Sequence, residues 1–410
     1  MSVYLIIIVA SLLIIVSSLF SWFSQKTNFP SVLLLIGLGI GIQLYLNYSN
    51  VSTKDINTNE VLEIIGNIGL VFIVLEAALD LKLERKSLPL LLRSLLVAAF
   101  SFTGTMFAIG VLFHYLFPAS TFFNCLVYAI PLSIMSSSII IPSVGGLVNK
   151  KKEFMVFEST FSDILGIMVF YFMMEADGQN ATQVAYDVSL NILATIVLSI
   201  AASFGLVFIV QRMKMQVKLF LILAVLLLLF ALGKNFHLSS LLLILVFGLF
   251  MNNAESLFGG KLSRFFNHET ITLILKDFHV LTLESAFLLR TFFFVVFGFS
   301  ISLSGLYSWE NALYGLIITA ILYLVRTLFL SVFARKHLYP ELMIAPRGLI
   351  TILLFFSIEK SQGIFIKGFD PGILLYPIFV TSIIMTIGLL THRGAKFSDA
   401  VKQQLPHLPK

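Results

Sequence analysis

The chain has 410 residues, of which 58% are hydrophobic and only 12% charged, and its mean hydropathy is +0.99. Soluble globular domains carry about a quarter of their residues as charged side chains, so this composition excludes such a domain and indicates an integral membrane protein. Spans of ~20 to 25 residues fill nearly the whole chain and leave no room for an attached nucleotide-binding or sensory domain. The single cysteine, Cys125, excludes an intrachain disulfide and hence a disulfide-stapled secreted fold.

Apolar runs bounded by charged or turn-forming residues predict an all-α polytopic protein with thirteen transmembrane spans. The first run has no basic residue before its apolar core and no small-residue cleavage site, so it is predicted to be a retained helix and not a signal peptide. The predicted spans are 3–23, 30–46, 61–81, 89–115, 120–146, 154–175, 184–211, 219–233, 238–254, 279–302, 310–333, 341–359 and 373–390.

Lys and Arg residues fall mainly on every second connection between these spans. The positive-inside rule then places the basic connections and the C-terminus in the cytoplasm and the N-terminus outside. The net charge of +6 is therefore an orientation signal, and we expect no nucleic-acid partner. An acidic soluble partner for the basic loops is disfavoured because the basic clusters are only two to four residues long. The expected location is the inner membrane of a bacterial cell.

The spans divide as six, one and six, and a single linking span gives the two halves opposite orientation. That is the arrangement of transporters built from inverted repeats. The predicted boundaries are 1–180 for the first repeat, 181–217 for the linking span, 218–390 for the second repeat and 391–410 for a short cytoplasmic tail.

Helix-breaking residues interrupt the fifth span of each half. In the first half, the triple serine 136–138 is followed by Pro142 and the glycine pair 145–146, and in the second half Pro346-Arg347-Gly348 interrupts the twelfth span. Irregular backbone at membrane depth is tolerated only where it is buried in protein or lines a wet cavity. We therefore predict partly unwound fifth and twelfth helices; the alternative is a pair of ordinary proline kinks.

The sixth span carries two acidic residues at membrane depth, where each costs at least ~2.5 to 3.5 kcal/mol on insertion scales. On a helix, Ser159, Ser162 and Asp163 share one face, while Glu158 points about 140° away. Near the midplane and beside two hydroxyls, Asp163 can hold either a dehydrated cation or a proton. Competition for that one carboxylate would couple the two as exchange. The alternative is that Asp163 only bonds the hydroxyls and helps to pack the bundle.

Buried arginines provide partners for the remaining acid. Glu158 and Arg347 lie at matching depths in spans that run in the same direction, which predicts a structural ion pair. For Arg290 and Arg326 we expect contacts with helix-end carbonyls, or with Glu284 in the case of Arg290.

The third span ends in two further carboxylates. Asp80 lies next to Lys82 and Arg85, so an interfacial salt bridge or a solvated charge accounts for it. Glu76 is one turn deeper. It is either a second carboxylate of the cation site or a carboxyl that stays protonated or hydrogen-bonded in a helix interface.

Five stretches in order along the chain carry a family resemblance. They are Phe29–Gly41, Leu75–Leu81, Glu158–Asp163, Phe292–Ser300 and Arg347-Gly348. Glu158-Ser159-x-x-Ser162-Asp163 resembles the Glu-Ser-x-x-Asn-Asp motif of the monovalent cation:proton antiporter superfamily, specifically of its sodium/proton exchanger branch. The other four stretches are similar to helix signatures of the same branch, so that the resemblance spans nearly the whole chain.

The resemblance implies a role for each matching residue. Asp163 is the expected ion- and proton-binding aspartate, with Ser159 and Glu76 as supporting ligands and Glu158 with Arg347 as a structural ion pair. The transient Na⁺ or K⁺ is expected on Asp163 and Glu76. It also implies a six-helix core around crossed fifth and twelfth spans that moves against a dimerisation scaffold, and hence a homodimer.

The sequence differs from the motifs of this branch at two places that bear on which ion is bound. Ser162 replaces the Asn of the motif, and the unwound fifth helix has the triple serine, including the candidate ligands Ser137 and Ser138, where much of the branch has Thr-Asp-Pro. The triple serine is similar to the Ser-Ser-Thr of the potassium/proton branch. One aspartate in place of a pair favours electroneutral exchange.

The predicted function is secondary active exchange of a monovalent cation for H⁺ by alternating access, with Na⁺ favoured over K⁺ or Li⁺ and with no cofactor. Membrane lipid and the transported ions are the other expected partners. A cation channel and a membrane scaffold with a degenerate site are the alternatives. The sequence shows no Thr-Val-Gly-Tyr-Gly-like filter, no His-Glu-x-x-His and no Gly-x-Ser-x-Gly, so channel and enzyme chemistry have no motif here.

Overall fold

A computed structural model describes most of the chain, and the part that it describes is helical, with no β-strand. The described residues are 3–27, 29–49, 58–80, 88–175, 181–210, 218–235, 240–253, 268–300, 308–334, 338–359 and 363–404. The helices are α1 (Val3–Thr27), α2 (Ser31–Tyr48), α3 (Thr58–Asp80), α4 (Leu88–Leu116), α5 (Phe122–Ser133), α6 (Ser137–Ser143), α7 (Asn149–Glu175), α8 (Ala181–Val210), α9 (Lys218–Asn235), α10 (Ser240–Asn252), α11 (His268–Ser300), α12 (Trp309–Ala334), α13 (Leu349–Glu359) and α14 (Leu375–Gln404).

These helices match the thirteen predicted spans, with α5 and α6 as the two parts of the fifth span. Eight stretches of the described residues are long and apolar enough to cross a membrane, and four shorter helices are apolar as well. The predicted fold class, an all-α polytopic membrane protein, is confirmed.

Three boundaries differ from the prediction. The tenth span begins at His268 and not at 279, and α14 continues to Gln404 through most of the predicted tail. The twelfth span is α-helical only from Leu349, because 344–348 have no regular secondary structure and only a short 3-10 turn, Glu341–Met343, precedes them. The reason for the last difference is Pro346, which has no N–H to donate and disfavours helical backbone at the residue before it.

The helices form two compact units. The first unit comprises Met1–Leu62, Leu90–Asp163 and Phe294–Lys410, and the second comprises Glu63–Pro89 and Ile164–Phe293. Each unit takes segments from both predicted halves of the sequence, so these units are a different division from 1–180 and 218–390. The inverted relation of the two halves stays a prediction.

In the first unit, α2 and α11 cross with their backbones in contact. A Cβ atom on Gly39 would overlap the backbone of Val295, and one on Gly298 would overlap the backbone of Ile36. Small residues at a membrane helix crossing allow this close approach, which van der Waals packing then stabilises. The two glycine-containing stretches of the family resemblance therefore pack against each other.

We expect Gly39→Ala to destabilise the protein by about 1–3 kcal/mol, the usual cost of overpacking, because backbone atoms cannot rotate away as a side chain can. Gly37→Ala, two residues away, is the matched control: no heavy atom lies within 4 Å of a Cβ there, so it should be neutral or slightly stabilising. Thermal unfolding in detergent, followed by circular dichroism, compares the two. Equal stability of the two variants would contradict the backbone contact.

Candidate functional site

Both predicted interruptions are present, and they touch each other. The fifth span is broken between Ser133, the last residue of α5, and Ser137, the first residue of α6. The Ser136 N–H donates to the Pro346 carbonyl at 2.9 Å. A Cβ atom on Gly348 would lie 2.7 Å from both Ser136 Oγ and Ile139 Cδ1, so any larger residue would have to displace these two side chains where the segments meet.

Side chains of α7 bind the other free N–H groups of the broken fifth span. The Met135 N–H donates to Ser162 Oγ at 2.9 Å, and the Ser137 N–H donates to Asp163 Oδ2 at 3.1 Å. An unpaired backbone N–H inside a membrane costs several kcal/mol, so both contacts stabilise the unwound conformation. The two adjacent residues that the sequence places on one face of α7 thus contact the predicted break directly.

One carboxylate oxygen of Asp163 accepts a hydrogen bond, and the other accepts none among the described residues. The residue is 3% exposed, and its Oδ1 has no hydrogen-bond partner among the described residues. The hydrogen bond at Oδ2 leaves the lone pairs of Oδ1 available. A buried carboxylate oxygen of this kind can bind one proton or one hard cation.

The hydroxyls predicted to assist Asp163 are all buried. Ser159 donates to the Val156 carbonyl at 3.1 Å, and Ser138 shares a hydrogen bond of 2.9 Å with Ser136. A serine that donates its proton keeps oxygen lone pairs with which it can accept or coordinate. Ser159 is therefore chemically able to act as a cation ligand while it keeps this bond.

Arg347 binds carbonyl groups that the two breaks leave free. Its Nε donates to the Leu132 carbonyl at 2.7 Å and its Nη1 donates to the Ala345 carbonyl at 2.9 Å. Its backbone N–H donates to Thr381 Oγ1 at 3.1 Å. A cation at the C-terminal end of α5 satisfies carbonyls that have no helical partner and complements the helix dipole.

The predicted ion pair between Glu158 and Arg347 is wrong, because Glu158 pairs with Arg326 of α12. Arg326 Nη1 lies 2.6 Å from Glu158 Oε1, and its Nη2 lies 3.1 Å from Oε2. Arg326 also donates to the Glu341 carbonyl from Nη2 at 2.8 Å. Matching depth in the membrane, one of the grounds for that prediction, does not distinguish two arginines on different spans. The bidentate geometry decides in favour of Arg326.

Glu76 lies in the second unit, in the contact between α3 and α11. Its Oε1 is 3.3 Å from Arg290 Nη2, a contact that the sequence did not predict, while the expected contacts of Arg290 with helix-end carbonyls or with Glu284 stay predictions. One turn further, Asp80 Oδ1 is 3.0 Å from His279 Nε2, whereas its expected partners Lys82 and Arg85 lie outside the described residues. The structure thus gives Glu76 the helix-interface role, one of the two alternatives. Its contact with a cation stays a prediction.

Sequence reasoning missed two residues of this region. For Arg326 the sequence predicts only contacts with helix-end carbonyls, and the ion pair with Glu158 is not part of that prediction. Thr381, which accepts from the backbone N–H of Arg347, is not predicted from the sequence. Its signal is the polar pair Thr381-Ser382 within an apolar run, and the structure buries it completely. Its partner could not be inferred, because it lies on another span.

Two unwound spans that cross inside a helical bundle, with a buried carboxylate at the crossing, define a secondary transporter. A family model described as "Sodium/hydrogen exchanger, transmembrane" matches residues 12–393. The chain belongs to the sodium/hydrogen exchanger family, which confirms the resemblance.

Solved structures of one antiporter share the fold. The structure of the sodium proton antiporter MjNhaP1 from Methanocaldococcus jannaschii at pH 8 has a TM-score of 0.70 and 20% identity, over 95% of this chain and 99% of that one. The electron-microscopy map of MjNhaP1 gives a TM-score of 0.70 and 18% identity over 100% of both chains. A search of curated proteins found no match.

A double-mutant cycle tests the partner of Glu158. Removing one member of a buried ion pair leaves an unpaired charge, so Glu158→Gln and Arg326→Gln should each cost about 3–5 kcal/mol, and the double variant should recover part of that loss. Arg347→Gln combined with Glu158→Gln is the control and should show little recovery. Thermal unfolding in detergent measures each variant. Stronger coupling of Glu158 to Arg347 than to Arg326 would refute the assignment.

Proposed function

We propose that the protein exchanges a monovalent cation, with Na⁺ favoured and K⁺ or Li⁺ as alternatives, for H⁺ across its membrane, and that Asp163 is the group that binds either ion. Membership of the sodium/hydrogen exchanger family supports cation/proton antiport. The observation that carries the role of Asp163 is its divided carboxylate, with Oδ2 held by the Ser137 N–H and Oδ1 without a partner in the described part of the chain.

The coupling follows from the chemistry of a single carboxylate. A proton on Asp163 removes the negative charge that attracts the cation, and a bound cation lowers the tendency of the group to take up a proton. Only one of the two ions is therefore bound at a time. Transport then requires only that the loaded site, with either ion, can open to each side of the membrane in turn.

The serine hydroxyls replace part of the cation's hydration shell in this proposal. Hard cations take oxygen ligands, and Ser159, Ser137 and Ser138 supply oxygens on the two helices that meet at Asp163. Ser162 has a different task, because its oxygen already accepts the Met135 N–H. A serine at this position still caps the broken helix, which argues against a degenerate site.

The count of charges favours one-for-one exchange without net charge movement. The unwound segment of the fifth span, 134–136, and the two serines that follow it contain no carboxylate, so no second acid from this span accompanies Asp163. The site is neutral with one proton and neutral with one monovalent cation. Glu158 and Arg326 compensate each other's charge.

The proposal also includes the location, orientation and assembly of the protein. We propose a bacterial inner membrane as the location. From the distribution of Lys and Arg we infer that the N-terminus is outside and that the basic connections and the C-terminus are in the cytoplasm. A homodimer and contacts with membrane lipid are proposed from the family resemblance.

Asp163→Asn should abolish cation-dependent proton movement while the protein stays folded, because Asn keeps an oxygen for the Ser137 N–H but carries no charge. Purified protein in vesicles with an internal pH-sensitive dye, given inward gradients of Na⁺, K⁺ and Li⁺ in turn, measures exchange and ranks the ions. Asp277→Asn, at an exposed position on α11, is the matched control and should keep wild-type exchange. Full exchange by Asp163→Asn would remove Asp163 from the mechanism.

Electroneutral exchange should not respond to membrane voltage. In the same vesicles, a potential set by a K⁺ gradient and valinomycin should leave the initial rate of Na⁺-driven proton movement unchanged at either sign. A rate that rises at one sign and falls at the other would show net charge movement and contradict the one-for-one stoichiometry.

A further inference from the structure

A small polar cavity lies beside the crossing of the two unwound spans, within the first unit. Its volume is about 20 Å³. Five elements line it: α4, the end of α5, α7, α12 and the non-helical part of the twelfth span. The polar residues of the lining are Ser101, Thr105, Ser133, Glu158, Ser162, Arg326 and Arg347.

Ser101 and Thr105 are polar residues of this lining that take no part in the site described above, and the hydroxyl of Ser101 is the one that is buried without a partner among the described residues. Helical hydroxyls in this protein commonly donate to the carbonyl four residues earlier, as Ser94 does to Leu90 and Ser133 does to Ala129. The Ser101 hydroxyl makes no such bond. Its oxygen is buried and has no hydrogen-bond partner among the described residues. A buried hydroxyl without a partner is destabilising, so an occupant of the cavity that pairs with it would be stabilising.

The size and charge of the cavity select the occupant. A water molecule needs roughly 10–15 Å³ of such volume and two to four polar partners, so this cavity holds one water and no more. A cation is disfavoured, because Arg326 and Arg347 face the cavity against the single carboxylate of Glu158. A neutral molecule that both donates and accepts hydrogen bonds fits the mixed lining.

The polar groups that line the cavity are the candidate hydrogen-bond partners of this water. Ser162 is among them, and its hydroxyl, which accepts from the Met135 N–H, still has its own proton to donate. We infer that the cavity is a binding site for one ordered water that links Ser101 of α4 to Ser162 of α7. Ser101 is then a positioning residue: through the water it orients Ser162, the neighbour of Asp163 and the cap of the unwound fifth span.

The direction of a stability change distinguishes this water site from an empty cavity. If Ser101 holds a water, Ser101→Ala loses a hydrogen bond, and the unfolding midpoint in detergent should fall by about 2 °C. If the hydroxyl is unpaired, its removal relieves a desolvation cost, and the midpoint should stay or rise. Ser382→Ala is the matched control, because Ser382 Oγ is also buried without a partner in the described part of the chain but does not line the cavity. Its midpoint should stay or rise.

An unchanged or raised midpoint for Ser101→Ala would overturn the water site. An ordered water between Ser101 and Ser162 in an experimental map of about 2 Å resolution would support it directly, and a dry cavity at that resolution would overturn it.

The positioning role is tested by transport and rests on the proposed exchange activity. Ser101→Ala should raise the KM for Na⁺ roughly fivefold, the factor that corresponds to one lost hydrogen bond, with Vmax little changed. Ser101→Thr, which keeps the hydroxyl, and Ser382→Ala should retain the wild-type KM. A lowered midpoint with an unchanged KM would overturn the positioning role. Absence of exchange in the wild type would instead contradict the proposed function, and the comparison of midpoints would still decide whether the water is bound.

Discussion

The structure depends on one constraint: where two membrane spans are unwound, their backbone N–H and C=O groups must find partners without water. Three consecutive N–H groups of the fifth span, from Met135 to Ser137, find theirs on Ser162, the Pro346 carbonyl and Asp163. The three partners are a hydroxyl, a backbone carbonyl and a carboxylate. Asp163, the proposed transport residue, therefore also helps to stabilise the break in the fifth span.

Two buried arginines near the crossing bind different groups. Arg347 binds two backbone carbonyls and so takes the place of lost helical donors. Arg326 neutralises Glu158 through both of its oxygens and binds the Glu341 carbonyl as well. A guanidinium suits both roles, since it stays charged and presents several donors in one plane. Buried arginines in this protein thus act on the backbone as much as on the buried acids.

The sequence predicted those features that depend on composition and local chemistry. Thirteen apolar runs give thirteen spans, and Pro346 and the triple serine mark the two breaks, because apolar length and helix-breaking residues are readable without tertiary information. Pairings across spans were not predictable in the same way. Glu158 pairs with Arg326, and Glu76 lies beside Arg290. In each case the partner comes from a span whose packing neighbours the sequence does not specify. The start of α13 was predictable only in part. Pro346 indicates where the helix is interrupted, but it does not indicate how many residues are non-helical.

The bond between Asp163 and the Ser137 N–H has a consequence for how ion exchange acts on the protein. A charged carboxylate accepts hydrogen bonds about twice as strongly as a neutral group. In the proposed cycle, a proton on Oδ1 neutralises the group while a cation leaves it ionised, so the same backbone contact is weaker with one ion than with the other. The fifth span therefore responds to which ion is bound through a single main-chain hydrogen bond, at a place where the helix is already open.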